Sequence, residues 1–79
     1  MAGAIVGTEA NLGMGVIVNC GAVIDHDCEV GDYAHLGIQA AMAGGAGLGA
    51  KAWMKAGSVV GTGCRVPEGE VLGFGESKT

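Results

Sequence analysis

The residues best suited to acid–base chemistry run from Asp25 to Asp27, where a histidine stands between two aspartates. A histidine titrates near neutral pH, and a neighbouring carboxylate can orient the ring and stabilise its charged form. The Asp-His-Asp sequence therefore has the groups of a general base, with His26 receiving the proton. A solvated acidic corner with a surface histidine would contain the same three residues, so the spacing alone leaves both interpretations open.

The other side chains that could bind a metal or react as thiols do not form a motif. His35 stands nine residues after His26, and two histidines at different places of the repeat described below do not supply the three or four ligands of a zinc site. We therefore expect no metal. Cys20, Cys28 and Cys64 form no Cys-x-x-Cys pair. We expect Cys28 and Cys64 to be small core residues and Cys20 to face outward, in a reduced chain.

The elements that position these side chains follow from a repeat of six residues. Every sixth residue from Val6 to Leu72 is aliphatic or methionine, and a small residue stands four places later in most units. A period of six fits neither the 3.6 residues of a helical turn nor the alternation of a plain strand. It is typical of short strands joined by tight turns, with three units to a triangular coil. We therefore predict an all-β fold, a single-stranded parallel β-helix of about four 18-residue coils, stacked about 4.8 Å apart.

A coil of 18 residues also predicts which side chains lie above one another. His35 should lie over Ile17 and under Trp53 as a packed, half-exposed side chain, and His26 should fall on the outward part of its unit. The sequence has 17 glycines among 79 residues, and seven of them directly follow the aliphatic position. We attribute this glycine excess to tight corners.

Composition excludes several classes of function. Eight acidic and four basic residues give a net charge of −4, so nucleic-acid binding through a basic face is not expected. The stretch 33–50 has no charged residue, but His35, Gln39 and several glycines make it a poor membrane span. No secretory signal peptide is visible at the start of the sequence. We therefore expect a cytoplasmic protein with neither nucleic acid nor membrane as a partner.

The segment from Val18 to Gly44 closely resembles the catalytic coils of the hexapeptide-repeat acyltransferases. The specific parts are DHDC at 25–28 and GDYAH at 31–35, and a weaker similarity extends from Met1 to about Phe74. The subgroup it resembles contains the sugar acetyltransferases related to sialic acid O-acetyltransferase and to the N-acetyltransferase of UDP-4-amino sugars. The resemblance implies a left-handed β-helix, acetyl-CoA as co-substrate, a small-molecule acceptor, and a homotrimer with the site between subunits.

The same resemblance implies a role for individual residues. His26 would be the catalytic base, removing a proton from the amine or hydroxyl of a sugar-like acceptor as it attacks the thioester of acetyl-CoA. Asp27 would raise the basicity of His26, and Asp25 and Asn19 are alternative orienting groups. Four further positions would contact acetyl-CoA, namely His35, Gly44, Ala56 and Phe74.

For domain organisation, we expect a single left-handed β-helix domain over residues 1–79, with the hexads in register from 6 to 77. The N-terminal nucleotide-sugar domain of α/β type found in family enzymes is not expected, so the sequence does not identify the acceptor. Two other functions stay open. One is a minimal trimeric β-helix scaffold or interaction module with little or no catalytic activity. The other is a metal site of the carbonic-anhydrase type, shared between subunits.

Overall fold

Short parallel strands make up all the regular structure of the chain, as described by a computed structural model for residues 3–79. No helix long and apolar enough to cross a membrane occurs among these residues. The strands, each of two residues, are β1 (Ile5–Val6), β2 (Asn11–Leu12), β3 (Ile17–Val18), β4 (Val23–Ile24), β5 (Glu29–Val30), β6 (His35–Leu36), β7 (Ala41–Met42), β8 (Gly47–Leu48), β9 (Trp53–Met54), β10 (Val59–Val60), β11 (Arg65–Val66), β12 (Val71–Leu72) and β13 (Ser77–Lys78).

These strands form three parallel sheets, which are the three faces of a prism. The first face contains β1, β4, β7, β10 and β13, the second contains β2, β5, β8 and β11, and the third contains β3, β6, β9 and β12. Paired residues are 18 apart, as in Val23 with Ala41 and His35 with Trp53. The predicted fold class, a parallel β-helix of about four 18-residue coils, is confirmed.

Three lines of turns connect the faces. We call the turns from the first to the second face the first corner (residues 7–10, 25–28, 43–46 and 61–64). The second corner leads from the second to the third face (13–16, 31–34, 49–52 and 67–70). The third corner leads from the third back to the first (19–22, 37–40, 55–58 and 73–76). Every predicted site residue except His35 lies on the first or third corner.

The core is the inside of the prism, and the repeat fills it. The second residue of each strand from β3 to β12 points inward and is buried, and in the coils up to β10 a small residue four places later packs at the following corner. Burying one aliphatic side chain contributes about 1.5–3 kcal/mol. Cys28 is buried and Cys64 half-buried, whereas Cys20 is exposed, as the register predicted.

Most of the glycines after the aliphatic residues have a different role from the one we predicted. They do not take the positive φ of a sharp corner. Instead, the next coil passes so close that a Cβ at Gly37 would lie 2.8 Å from the backbone nitrogen of Ala56. Positive φ occurs two residues after that position, for example at Asp27 (59°) and Tyr33 (60°). The repeat therefore uses glycine for contact between coils as well as for turning the chain.

Candidate active site

The Asp-His-Asp sequence forms the first corner of the second coil. The His26 ring donates a hydrogen bond from Nδ1 to Oδ2 of Asp27 over 3.0 Å, and the His26 backbone N–H donates to Oδ1 of Asp25 over 2.8 Å. The corner itself is held by the neighbouring coils, because the Asp27 N–H donates to the Thr8 carbonyl and the Gly45 N–H to the His26 carbonyl, both over 3.0 Å. The two aspartates thus accept hydrogen bonds from different parts of the histidine: Asp27 from the ring and Asp25 from the backbone.

The electrostatics of this corner favour a protonated ring. The hydrogen bond to Asp27 raises the pKa of His26 above its ordinary value, the negative charge of Asp25 raises it further, and desolvation lowers it slightly. The two side chains of the pair are 61 % and 64 % exposed, so both are accessible from solvent. Because Nδ1 is bonded to Asp27, the second ring nitrogen, Nε2, is the one left to exchange a proton. If His26 acts as the predicted general base, Nε2 is therefore the atom that takes the proton.

Gly44 is the one predicted acetyl-CoA position that the fold brings to His26. It occupies the first corner of the third coil, directly beside the imidazole. A Cβ built on Gly44 would lie 2.7 Å from both Cε1 and Nε2 of that ring. His26, Asp25, Asp27 and Gly44 therefore form one cluster, which we call the His26 corner.

Asn19 does not belong to that cluster. We expected it as an alternative orienting group for His26, but its amide lies 2.8 Å from Nε2 of His35. The physical reason is the register, which places Asn19 where β3 ends on the third corner, while His26 lies on the first corner. An amide N–H can only donate, so Nε2 of His35 accepts and the ring proton is on Nδ1. Asn19 thus orients the other histidine.

His35 lies on the third face in the column that the 18-residue coil predicted. It pairs with Ile17 and Trp53 in the neighbouring strands, and its ring stacks on Trp53 with the centroids 5.5 Å apart and the planes 28° apart. With one edge bonded to Asn19 and one side on Trp53, the His35 ring has a fixed orientation. Its Nδ1–H remains as a donor.

Ala56 and Phe74 follow each other on the third corner, 18 residues apart. Phe74 is 73 % exposed, and Lys55 Nζ lies 5.0 Å from the ring centroids of both Phe74 and Trp53. Sequence reasoning missed Lys55, although the register contains the signal: it stands two residues after Trp53, and the next coil brings Phe74 beside it. We call Asn19, His35, Trp53, Lys55 and Phe74 the third-face cluster.

The two clusters lie on different sides of one chain. In a three-sided prism the first corner is opposite the third face, so the His26 corner and the third-face cluster point away from each other. The structure brings His26, Asp25, Asp27 and Gly44 together and places His35, Asn19, Ala56 and Phe74 elsewhere. No group of three or more His, Cys, Asp or Glu side chains arranged to hold a metal ion occurs among residues 3–79.

Comparison with known proteins gives one kind of match. No protein-family model and no curated protein sequence matches the chain. Among solved structures, PerB from Caulobacter crescentus, in complex with CoA and GDP-perosamine, is similar with a TM-score of 0.64 and 31 % identity. A histidine-to-asparagine mutant of perosamine N-acetyltransferase from the same organism, with the same two ligands, gives 0.58 and 26 %.

Each match covers 96 % of this chain but 48 % of the solved one, so the chain spans about half the length of these proteins. Because the matched half extends over nearly all of this chain, the likeness is to the whole four-coil prism. The resemblance to the hexapeptide-repeat acyltransferases that we predicted from the sequence is therefore confirmed.

Proposed function

We propose that these coils belong to an acyl-CoA-dependent acetyltransferase that acts on the amine of a sugar-like acceptor, with His26 as the general base. The observation that carries the proposal is the exposed His26 ring, bonded to Asp27 through Nδ1 over 3.0 Å. The likeness to perosamine N-acetyltransferase adds support, because that protein was crystallised with CoA and an amino-sugar nucleotide. A hydroxyl acceptor would use the same base.

In the proposed reaction, the acceptor nitrogen attacks the thioester carbonyl carbon of acetyl-CoA while Nε2 of His26 removes a proton from that nitrogen. The carbon–sulfur bond then breaks, and the leaving thiolate takes the proton back from the imidazolium. Asp27 keeps the ring in the tautomer with Nε2 free and stabilises its positive charge, and Asp25 adds negative charge nearby. The raised pKa of His26 has this origin and makes the ring a stronger base.

Acetyl-CoA is proposed to lie against His35, Gly44, Ala56 and Phe74. These positions are on two sides of one chain, so a single site that uses all of them needs the His26 corner of one subunit beside the third face of another. The outward column of that face is apolar at Ile17 and Val71, which are exposed in the single chain and suited to a subunit contact. We therefore propose that the site lies between subunits, and the resemblance to the hexapeptide-repeat acyltransferases implies that the assembly is a homotrimer. The three free cysteines favour the reducing cytoplasm.

The test combines binding with turnover. Calorimetry with acetyl-CoA should show saturable binding, and release of CoA thiol should follow addition of GDP-perosamine, the amino-sugar nucleotide found in the similar structures. Replacing His26 by alanine should lower the rate by about 10²–10⁴-fold, the usual contribution of a general base. Glu68→Ala, an exposed carboxylate on the second corner, is the matched control and should keep the rate.

Two outcomes would contradict the proposal. Absence of acetyl-CoA binding at millimolar concentration would remove the acetyltransferase function and leave the scaffold alternative. Turnover that survives in His26→Ala would remove His26 from its role as base while leaving the reaction in place.

A further inference from the structure

The backbone conformation at Gly44 does not explain why this residue is a glycine. Its φ is not positive, so the turn itself does not require glycine there. The first and fourth coils have threonine at the same place of the first corner, Thr8 and Thr62. Position 44 lies against the imidazole of His26, which stands at the same place of the preceding coil. A side chain at position 44 would therefore meet the His26 ring, although the backbone conformation of the turn would allow a side chain there.

The contact is close and specific. A Cβ on Gly44 would lie 2.7 Å from Cε1 and from Nε2 of His26, and 3.4 Å from Cδ2. Carbon atoms in contact prefer about 3.5–4.0 Å, so a methyl group here requires either the ring or the corner to move. Backbone hydrogen bonds hold the corner from both sides, with the Gly45 N–H on the His26 carbonyl (3.0 Å) and the Gly63 N–H on the Gly44 carbonyl (3.1 Å). The ring is the part free to move.

We infer that Gly44 is a positioning residue for the general base. Because Gly44 has no side chain, the His26 imidazole can lie against this glycine while Nδ1 of the imidazole bonds Asp27. The catalytic part of this inference rests on the proposed function, whereas the position of the His26 ring against Gly44 does not depend on it. Nε2, the proposed proton acceptor, lies beside Gly44, so an amine hydrogen-bonded to Nε2 would lie near this glycine. A methyl group at position 44 would displace the ring and reduce the space for that amine.

The consequence for titration is simple, because few charges face the ring. Asp25 and Asp27 are on its own corner, and the stacked residues of the neighbouring coils, Thr8 and Gly44, have no titratable side chain. Moving the ring off Asp27 removes the hydrogen bond that contributes most to raising the His26 pKa. A change of ring position can therefore be measured as a change of titration.

Gly47 offers a matched control three residues later in the same coil. A Cβ there would lie 2.9 Å from Cζ of Arg65, the far end of a flexible side chain. That guanidinium makes only a long, exposed contact of 3.9 Å with Glu29. Gly47→Ala thus also displaces a side chain from the neighbouring coil, but it leaves the His26 corner unchanged.

The experiment is an NMR titration of the His26 ring in the wild-type protein, Gly44→Ala and Gly47→Ala. We expect a lower pKa for His26 in Gly44→Ala and an unchanged one in Gly47→Ala. In the wild type, Hε1 of His26 should also show a nuclear Overhauser effect to the α protons of Gly44. Where turnover is measurable, Gly44→Ala should lower kcat by about 10²-fold, the usual cost of misplacing a catalytic group by about 1 Å.

An unchanged His26 titration in a folded Gly44→Ala protein would overturn the inference. Should Gly44→Ala not fold, the wild-type Overhauser effect decides alone, and its absence would overturn the inference equally. None of these ring measurements needs acetyl-CoA. A wild-type protein without turnover but with the expected titrations would therefore refute the proposed function and leave the positioning role intact.

Discussion

Truncation of Ile24 tests whether the residue just before the Asp-His-Asp corner belongs to the buried inward column. Ile24 ends β4, is 0 % exposed and directly precedes Asp25. Ile24→Ala should cost about 2–5 kcal/mol through lost burial and a cavity, and Ile24→Val about 0.5–1.5 kcal/mol. At about 0.05–0.15 kcal/mol per residue, a chain of this length has roughly 4–12 kcal/mol of stability in total. Ile24→Ala thus removes a large share of it, whereas Ile24→Val leaves a folded protein.

Urea unfolding followed by the fluorescence of Trp53, the single tryptophan, measures these costs. In a thermal scan, each kcal/mol lost should lower Tm by about 4–8 °C for a domain of this size. Ile5→Ala is the control: Ile5 lies on the same face but is 60 % exposed, so its loss should stay within about 0.5 kcal/mol. If another subunit buries Ile5, the cost of Ile5→Ala depends on protein concentration, so the measurement is made at two concentrations. Equal costs for Ile24→Ala and Ile5→Ala at both concentrations would refute the inward placement of Ile24.

Two further substitutions address the two histidines. Asp27→Asn should lower the pKa of His26, whose elevation comes mainly from the hydrogen bond to Asp27. The rising limb of the activity profile then moves to lower pH, because the base must be neutral. In the wild type, protonated His26 stabilises the fold below its ordinary pKa, and this stabilisation is lost as pH rises through the folded pKa; Asp27→Asn should remove it. An unchanged His26 pKa in the NMR titration of Asp27→Asn would contradict the prediction. Asn19→Ala should remove the hydrogen bond to Nε2 of His35, so that the ring proton can move from Nδ1 to Nε2. The ¹⁵N chemical shifts of the ring measure this change, and a wild-type His35 already protonated on Nε2 would contradict the prediction.

The fold was predictable from the sequence because its periodicity is strict. A period of six leaves no choice about which residues face inward, and three units to a coil then fix every pairing between coils, such as His35 with Trp53. The general-base candidate was predictable too, because Asp27 and His26 are adjacent in the chain. Local sequence is sufficient for a contact between neighbours.

Contacts between coils were harder to predict, even with the correct register. Asn19 was expected near His26 but bonds His35, because the next coil brings His35 beside it, whereas His26 lies on another corner of the prism. The pattern gave the column in which Asn19 stands, but not the direction of its amide. Lys55, which lies 5.0 Å from two aromatic rings, was missed for the same reason.

By itself, the sequence determined the solenoid, its four coils, its inward residues and the His26–Asp27 pair, since all of these depend on spacing along the chain. Tertiary structure decided what the spacing could not. It showed that most of the glycines after the aliphatic residues allow close contact between coils, that Gly44 lies against the His26 ring, and that His26 and His35 lie on opposite sides of the prism. The physical reason is that a stacked coil brings together atoms 18 residues apart, and only coordinates give the directions of their side chains.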